Sequence, residues 1–66
     1  MAVLKVIEVL ANSEESWEDA TKKAVAQASK SVKNIRSVYI QEQSASVKDG
    51  EIDDYRVNVK ITFEVK

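Results

Sequence analysis

The sequence contains no cysteine, no histidine and only one glycine in 66 residues. Disulfides and Cys/His zinc sites, which support many small folds, are therefore excluded, and thiol chemistry is excluded with them. A domain of this size buries only about 60% of the surface that its unfolded chain exposes. Of the usual additional supports for a small fold, oligomerisation remains, and we expect it here.

Neither sign of charge dominates, because 10 Lys and Arg residues stand against 11 Asp and Glu residues. The net charge of −1 provides no long-range field that would gather nucleic acid or an anionic membrane. The longest apolar-rich stretch, Ala2–Ala11, includes Lys5 and Glu8, and it is too short to span a bilayer or to act as a signal sequence. We therefore predict a cytoplasmic protein with one ordered domain over residues 1–66.

The residue types of nucleophilic catalysis are also scarce. Without His or Cys, a Ser nucleophile would need a Lys or a carboxylate as its base, and no Ser stands in a Gly-x-Ser-x-Gly or Ser-x-x-Lys pattern. One glycine is too few for a glycine-rich phosphate loop. The sequence therefore predicts that the protein is not an enzyme.

The first third of the sequence predicts a strand and then a helix. Val3–Leu10 is rich in β-branched and Leu side chains, which favours a strand, and Ala11–Glu15 predicts a polar connection. Ser16 followed by Asp19 resembles a capping box, so the helix is predicted to begin at Trp17. Its apolar positions recur at spacings of three and four: Trp17, Ala20, Ala24, Ala28, Val32 and Ile35. Acidic residues at the predicted start of the helix and basic residues at its predicted end interact favourably with the helix macrodipole. The predicted helix is about 17 residues long when these basic residues are included.

The rest of the sequence predicts a long hairpin. Ile35–Val47 gives a weaker strand pattern. It is followed by Asp49-Gly50, which is typical of a type I′ turn. Over Tyr55–Val65, polar and apolar residues alternate, which predicts a second strand. We therefore predict an α+β fold of β-α-β-β order, with a three-stranded antiparallel sheet in the order 1-3-2 packed on one helix. The hairpin would reach about 45 Å and the helix about 26 Å, so neighbouring subunits are expected to cover the remaining apolar positions.

Four carboxylates, Asp49, Glu51, Asp53 and Asp54, cluster at and after the hairpin turn. Oxygen ligands are what Ca²⁺ or Mg²⁺ requires, but the spacing is not that of an EF-hand loop. The favoured interpretation is a solvated turn whose charges protect a strand edge. The alternative is a cation site, which would be favoured if the same carboxylates from several copies met at a symmetry axis.

The aromatic residues and Arg56 each have a structural interpretation. Trp17 lies on the apolar stripe of the helix, so we predict core packing or an interface contact for it in preference to ligand stacking. Tyr39 and Tyr55 lie on strands, where half-buried aromatic residues are common. Arg56 lies on the polar face of the last strand between Asp54 and Asn58, and we predict that it forms one half of an ion pair across strands or subunits.

The sequence resembles the dodecins, small flavin-binding proteins with a β-α-β-β fold that assemble as hollow dodecamers. The matching segments cover most of the chain: Val3–Val9, Ser16–Ala20, Ala24–Lys30, Asp49-Gly50 and Tyr55–Phe63. No one segment is a specific motif, but their order, their lengths and the position of the turn agree with the family. The resemblance implies this fold and a homododecamer.

In flavin-binding dodecins a Trp on the second strand stacks on the isoalloxazine ring, and a Gln on the third strand forms a hydrogen bond with it. Ser37 and Arg56 stand at these cofactor-binding positions, so the flavin platform is expected to be lost. We expect a shell or storage protein that binds a small ligand or an ion. One alternative is residual affinity for riboflavin or FMN. Another is a small nucleic-acid-binding module, which the near-neutral charge disfavours.

Overall fold

The strands and the helix follow in the predicted order. The computed structural model describes residues 2–66, with β1 (Val3–Ser13), α1 (Trp17–Ala28), β2 (Ile35–Lys48) and β3 (Glu51–Val65). The strands form one antiparallel sheet in the order β1-β3-β2, so β3 is the central strand. The predicted α+β fold and strand order are confirmed.

β1 and β3 are longer than their sequence patterns indicate. Ala11–Ser13 continues β1 by pairing with Tyr55–Val57, so the polar connection predicted over Ala11–Glu15 is wrong for these three residues. β3 in turn begins at Glu51, before the alternating segment. Pairing with a long central strand satisfies the backbone groups of residues whose side chains alone do not favour a strand.

The predicted start of α1 is confirmed. Ser16 is the N-cap, and its hydroxyl oxygen accepts a hydrogen bond of 2.9 Å from the backbone N–H of Asp19. The carboxylate of Asp19 does not complete a capping box, because it accepts a hydrogen bond from the hydroxyl of Ser13. The first turn is thereby tied to the end of β1.

The predicted end of α1 is wrong. The helix stops at Ala28, and its last turn carries no basic residue, so Lys30–Arg36 lies beyond it and does not match the macrodipole. The chain reverses direction there so that β2 can pair with β3. Ser29 and Asn34, whose side chains favour turns over helix interiors, lie in this segment, and Asn34 has a positive φ of 64°.

The core lies between α1 and the central strand. Val57, Val59 and Ile61 on β3 are buried against Ala20 and Ala24 on α1, as the alternation predicts. The small alanine side chains allow the helix backbone to lie close to the sheet. From Asp54 onward, the even-numbered side chains of β3 lie on the opposite side of the sheet, which we call the open face because α1 does not cover it.

The β2–β3 hairpin is irregular at several positions. Asp49 and Gly50 have φ values of 54° and 80°, which confirms the predicted type I′ turn. The pairing between the strands shifts at Arg36, Gln41 and Asp53, where one strand contains an extra residue. Each shift is a β-bulge, which changes the local twist and the direction of the neighbouring side chains.

The folded chain extends far beyond the two ends of its helix. Its Cα atoms extend over 51 × 19 × 13 Å, whereas a 12-residue helix covers about 18 Å. Large apolar side chains are consequently exposed at both ends and on both faces of the sheet, namely Val3, Leu4, Val6, Leu10, Val38, Ile40, Val47, Ile52 and Val65. Among residues 2–66, no helix has the length and apolar character needed to cross a membrane.

Candidate functional site

Ser37 and Arg56 lie on the same face of the sheet but far apart. Ser37 pairs with Thr62, and Arg56 pairs with Ser44. Thr62 and Arg56 are six residues apart on β3, which corresponds to about 20 Å along an extended strand. One chain therefore does not bring these two residues into one pocket.

Arg56 forms an ion pair within its own strand. Its Nε lies 3.7 Å from Oδ2 of Asp54, and the same oxygen accepts a hydrogen bond of 3.0 Å from the side-chain amide of Asn12. Within one chain, the charged partner of Arg56 is therefore on its own strand, and Asn12 links the pair to β1. Pairing of Arg56 across subunits stays a prediction. The Arg56 side chain remains 61% exposed, while that of Asp54 is 17% exposed.

A cavity of about 420 Å³ lies on the open face beside Arg56. The open-face side chains that line it are Leu10, Asn12, Glu42, Ser44, Arg56 and Asn58. The side-chain oxygen of Asn58 is itself buried below the surface and accepts no hydrogen bond from residues 2–66. Among these residues, the sequence predicted a binding role only for Arg56; Asn58 carried no signal beyond its place at the middle of the polar face of β3.

The four hairpin carboxylates are not gathered into one cluster. The hydroxyl of Ser46 donates a hydrogen bond of 2.6 Å to Asp53, and Asp54 faces Asn12 and Arg56. Asp49 lies in the exposed turn, and Glu51 begins β3 beside it. Across residues 2–66, no group of three or more Asp or Glu side chains is placed to hold a metal ion.

The aromatic side chains differ in their surroundings. Trp17 packs edge to face on Tyr55, with ring centroids 4.9 Å apart, and its indole N–H donates a hydrogen bond of 2.8 Å to the backbone carbonyl of Ser44. The predicted packing role of Trp17 is confirmed. Tyr55 is half-buried as predicted, whereas Tyr39 is exposed on the open face, two residues from Ser37. Tyr39 lies on an outer strand that α1 hardly covers.

Several small proteins of known family resemble this chain over most of its length. A family model described as dodecin matches residues 3–66. Calcium dodecin from Mycobacterium tuberculosis is 35% identical over 66 residues, which cover 100% of this chain and 93% of that protein. A crystal structure of calcium dodecin from the same organism, described as a calcium-chelating antigen with a novel calcium-binding site, has a TM-score of 0.83 at 37% identity over 97% of this chain and 91% of that chain.

The structure of a dodecin mutant from Thermus thermophilus is also similar, with a TM-score of 0.94 over 100% of this chain and 98% of that chain. Its sequence identity is 24%, so the likeness concerns the fold. The folds agree over the full length of the sheet and the helix, including the parts of the hairpin that extend beyond α1.

Proposed function

This chain belongs to the dodecin family, and from that premise we propose that it is a non-enzymatic binding and storage protein built from twelve copies in the cytoplasm. Each copy contributes one domain over residues 1–66. The observation that carries the proposal is the separation of Ser37 from Arg56 by about 20 Å on one open face. A ligand shorter than this separation can contact both positions only where different copies meet.

The exposed apolar side chains support the assembly. Leu10 on the open face is 76% exposed, and Val47 and Ile52 near the hairpin turn are 67% and 51% exposed. Apolar side chains on both faces of a thin sheet are a hazard for an isolated chain, because they favour non-specific association. Neighbouring copies that cover them would stabilise the fold, which is too small to build a large core of its own.

A lost flavin platform is the second part of the proposal. Ser37 offers no aromatic ring for stacking, and Arg56 donates hydrogen bonds but does not accept them. The carboxylate of Asp54 also holds the guanidinium of Arg56. Residual affinity for riboflavin or FMN is the alternative, and it would depend on the donors of Arg56 and on the exposed ring of Tyr39.

Calcium is the ion that we propose for the hairpin carboxylates. Ca²⁺ takes six to eight oxygen ligands, and Asp53 and Asp54 each retain lone pairs beyond the hydrogen bonds that they accept. One chain supplies too few of these oxygens at one point, so the site would be completed by carboxylates of other copies. The calcium-chelating relative supports this choice of ion.

Native mass spectrometry of the purified protein tests the proposal. Twelve copies of 7.4 kDa give an assembly of about 89 kDa, and small molecules held between copies would add to that mass. Dissociation and tandem mass spectrometry would then identify what is bound. A mass near that of one or two chains at micromolar concentration would refute the assembly and, with it, a ligand site between copies.

A further inference from the structure

The turn of the β2–β3 hairpin places a carboxyl group beside an unhindered backbone nitrogen. Asp49 and Gly50 occupy the two central positions of the type I′ turn, and both are exposed. Nothing lies within 4 Å of the position that a Cβ of Gly50 would occupy. Within residues 2–66, neither the carboxylate of Asp49 nor the backbone N–H of Gly50 forms a hydrogen bond or an ion pair. Both groups are therefore available to react with each other.

We infer that Asp49 is a site of spontaneous isomerisation to isoaspartate. The backbone nitrogen of Gly50 attacks Cγ of Asp49 and forms a C–N bond, the N–H proton and the hydroxyl of the protonated carboxyl leave as water, and a five-membered succinimide results. Water then opens the ring. When it breaks the bond between the nitrogen and the backbone carbonyl carbon, the chain runs through Cγ of Asp49, and the former backbone carbonyl becomes a carboxylate. The two steps release one water and consume one, so the reaction needs no oxidant, reductant or co-reactant.

The other aspartates lack the conditions for this reaction. The carboxylates of Asp19, Asp53 and Asp54 each accept a hydrogen bond from another side chain. Each of these aspartates is also followed by a residue with a side chain, which hinders the backbone nitrogen, whereas glycine has none. The backbone N–H after Asp19 is in addition held by the carbonyl of Ser16. Asp49 is therefore the aspartate from which the succinimide forms.

Asn34 provides a comparison within the same chain, because it also has a left-handed φ. An asparagine can form the same ring with the loss of ammonia. The next residue is Ile35, however, which begins β2 and whose β-branched side chain crowds its own backbone nitrogen. We therefore expect Asn34 to react far more slowly than Asp49, since a left-handed backbone alone does not make the nitrogen accessible.

Opening of the hairpin end controls the reaction. The succinimide ring holds the bond between Cα and the backbone carbonyl carbon of Asp49 at a rotation that a type I′ turn does not have, so the ring closes when the turn opens. Between the turn and the bulge in the first part of β3, the strands form two pairs, Val47 with Ile52 and Lys48 with Glu51. These pairs lie beyond α1, and the side chains of Val47 and Ile52 are exposed. Opening of so short and exposed a segment requires much less free energy than global unfolding.

Isoaspartate changes the geometry of this end of the molecule. It adds one carbon atom to the backbone of a two-residue turn, and the longer turn no longer fits the twist and register of its strands. Glu51 and Asp53, two of the hairpin carboxylates that we propose for calcium, would shift with it. The reaction itself goes beyond the proposed function and does not rest on it, because it requires neither a ligand nor a second copy.

Peptide mapping of aged protein tests the inference. The purified protein is kept without calcium at physiological temperature and mildly acidic pH, and electron-transfer fragmentation then distinguishes isoaspartate from aspartate at each position. We expect isoaspartate to accumulate at Asp49, more slowly than in a peptide of residues 46–53, whose turn is open. Asp49→Gly, which suits the left-handed backbone, should abolish the signal. Isoaspartate mainly at another position would overturn the inference. Its absence from Asp49 in the protein would also overturn it, by showing that the fold or neighbouring copies keep the turn closed.

A charge swap beside the turn tests the control by hairpin opening. Lys48→Glu places a carboxylate directly opposite Glu51, and this repulsion should raise the rate of isomerisation about twofold to fivefold. Adding Glu51→Lys restores opposite charges and should return the rate to near that of the wild type. The corresponding peptides should all react at similar rates, because they have no paired strands to open. Equal rates in the three proteins, or the same acceleration in the peptides, would overturn this control of the site.

Discussion

The hydroxyl of Ser13 donates a hydrogen bond of 2.6 Å to Oδ2 of Asp19, which joins the last residue of β1 to the first turn of α1. Ser13 is buried, and its oxygen also accepts a hydrogen bond of 2.9 Å from the backbone N–H of Glu15. The short connection between strand and helix is therefore fixed from both sides. This contact replaces the carboxylate half of a capping box.

Asp19 should contribute to the acid sensitivity of the fold. The hydrogen bond from Ser13, and then the ion pair with Lys23, lowers the pKa of Asp19 below its ordinary value of 3.8. Because the folded pKa is lowered, the stabilisation is present at neutral pH and is lost as the pH falls below that value. Asp19→Asn should flatten the decline of melting temperature between about pH 5 and pH 2. Glu18→Gln, in an exposed pair with Lys22, should not.

The contact between Trp17 and Ser44 should contribute measurably to stability. Trp17→Phe removes the indole N–H that bonds to the carbonyl of Ser44 and should lower the free energy of unfolding by about 1 kcal/mol. Trp17→Leu should cost about 1 kcal/mol more, because the edge-to-face contact with Tyr55 is also lost. Urea denaturation at one fixed protein concentration measures both, with the exposed Tyr39→Phe as control. Equal stability of Trp17→Phe and wild type would contradict the prediction.

Calcium should stabilise the assembly by mass action. If carboxylates from several copies hold Ca²⁺, excess Ca²⁺ should raise the melting temperature and a chelator should reverse the change. Asp53→Asn or Asp54→Asn should reduce the calcium-dependent shift, whereas Glu14→Gln, on the loop before α1, should preserve it. Identical melting with Ca²⁺ and with chelator would remove the proposed ion site.

Flavin should bind weakly to the wild-type protein. Ser37 provides no ring to quench riboflavin or FMN, so fluorescence titration should show little quenching, and the purified protein should be colourless. Ser37→Trp should recover most of the binding, and Ser37→Trp with Arg56→Gln should bind more tightly still. Ser46→Trp, which adds a ring near the hairpin turn of the same face, is the control. Sub-micromolar binding with strong quenching in wild type would show that Tyr39 or another ring replaces the missing Trp.

The elements that local chemistry specifies were predictable from the sequence. The alternation over Tyr55–Val65 predicts the buried face of β3, and the side chain of Ser16 predicts the start of α1. The end of α1 was not predictable from the apolar spacing alone, because pairing of β2 with β3 requires the chain to turn after Ala28. The strand residues Ala11–Ser13 are likewise fixed by pairing, which has no signature in their own side chains.

Much of the candidate site also depends on long-range pairing. Ser37 and Arg56 were identified from the sequence, but their separation follows from the register of β2 on β3. The cavity residues Glu42 and Asn58 come together only because a bulge at Gln41 shifts that register. The extra residue is visible in the sequence only as a change of the apolar positions of β2 from even numbers (Val38, Ile40) to odd numbers (Ala45, Val47). That change does not say which residue is unpaired, so the sequence pattern did not identify these neighbours.

Because of the bulge at Gln41, β2 should tolerate the deletion of a residue at this position better than at its regularly paired positions. Ile40 pairs with Val59 on the helix side, and Glu42 pairs with Asn58 on the open face, so Gln41 is the extra residue between them. Deletion of Gln41 would restore a regular ladder and leave every other side chain of β2 on its present face. Deletion of a regularly paired residue would invert the faces of all positions beyond it. Natural or engineered relatives that differ by one residue in this strand should therefore carry the difference at such a position.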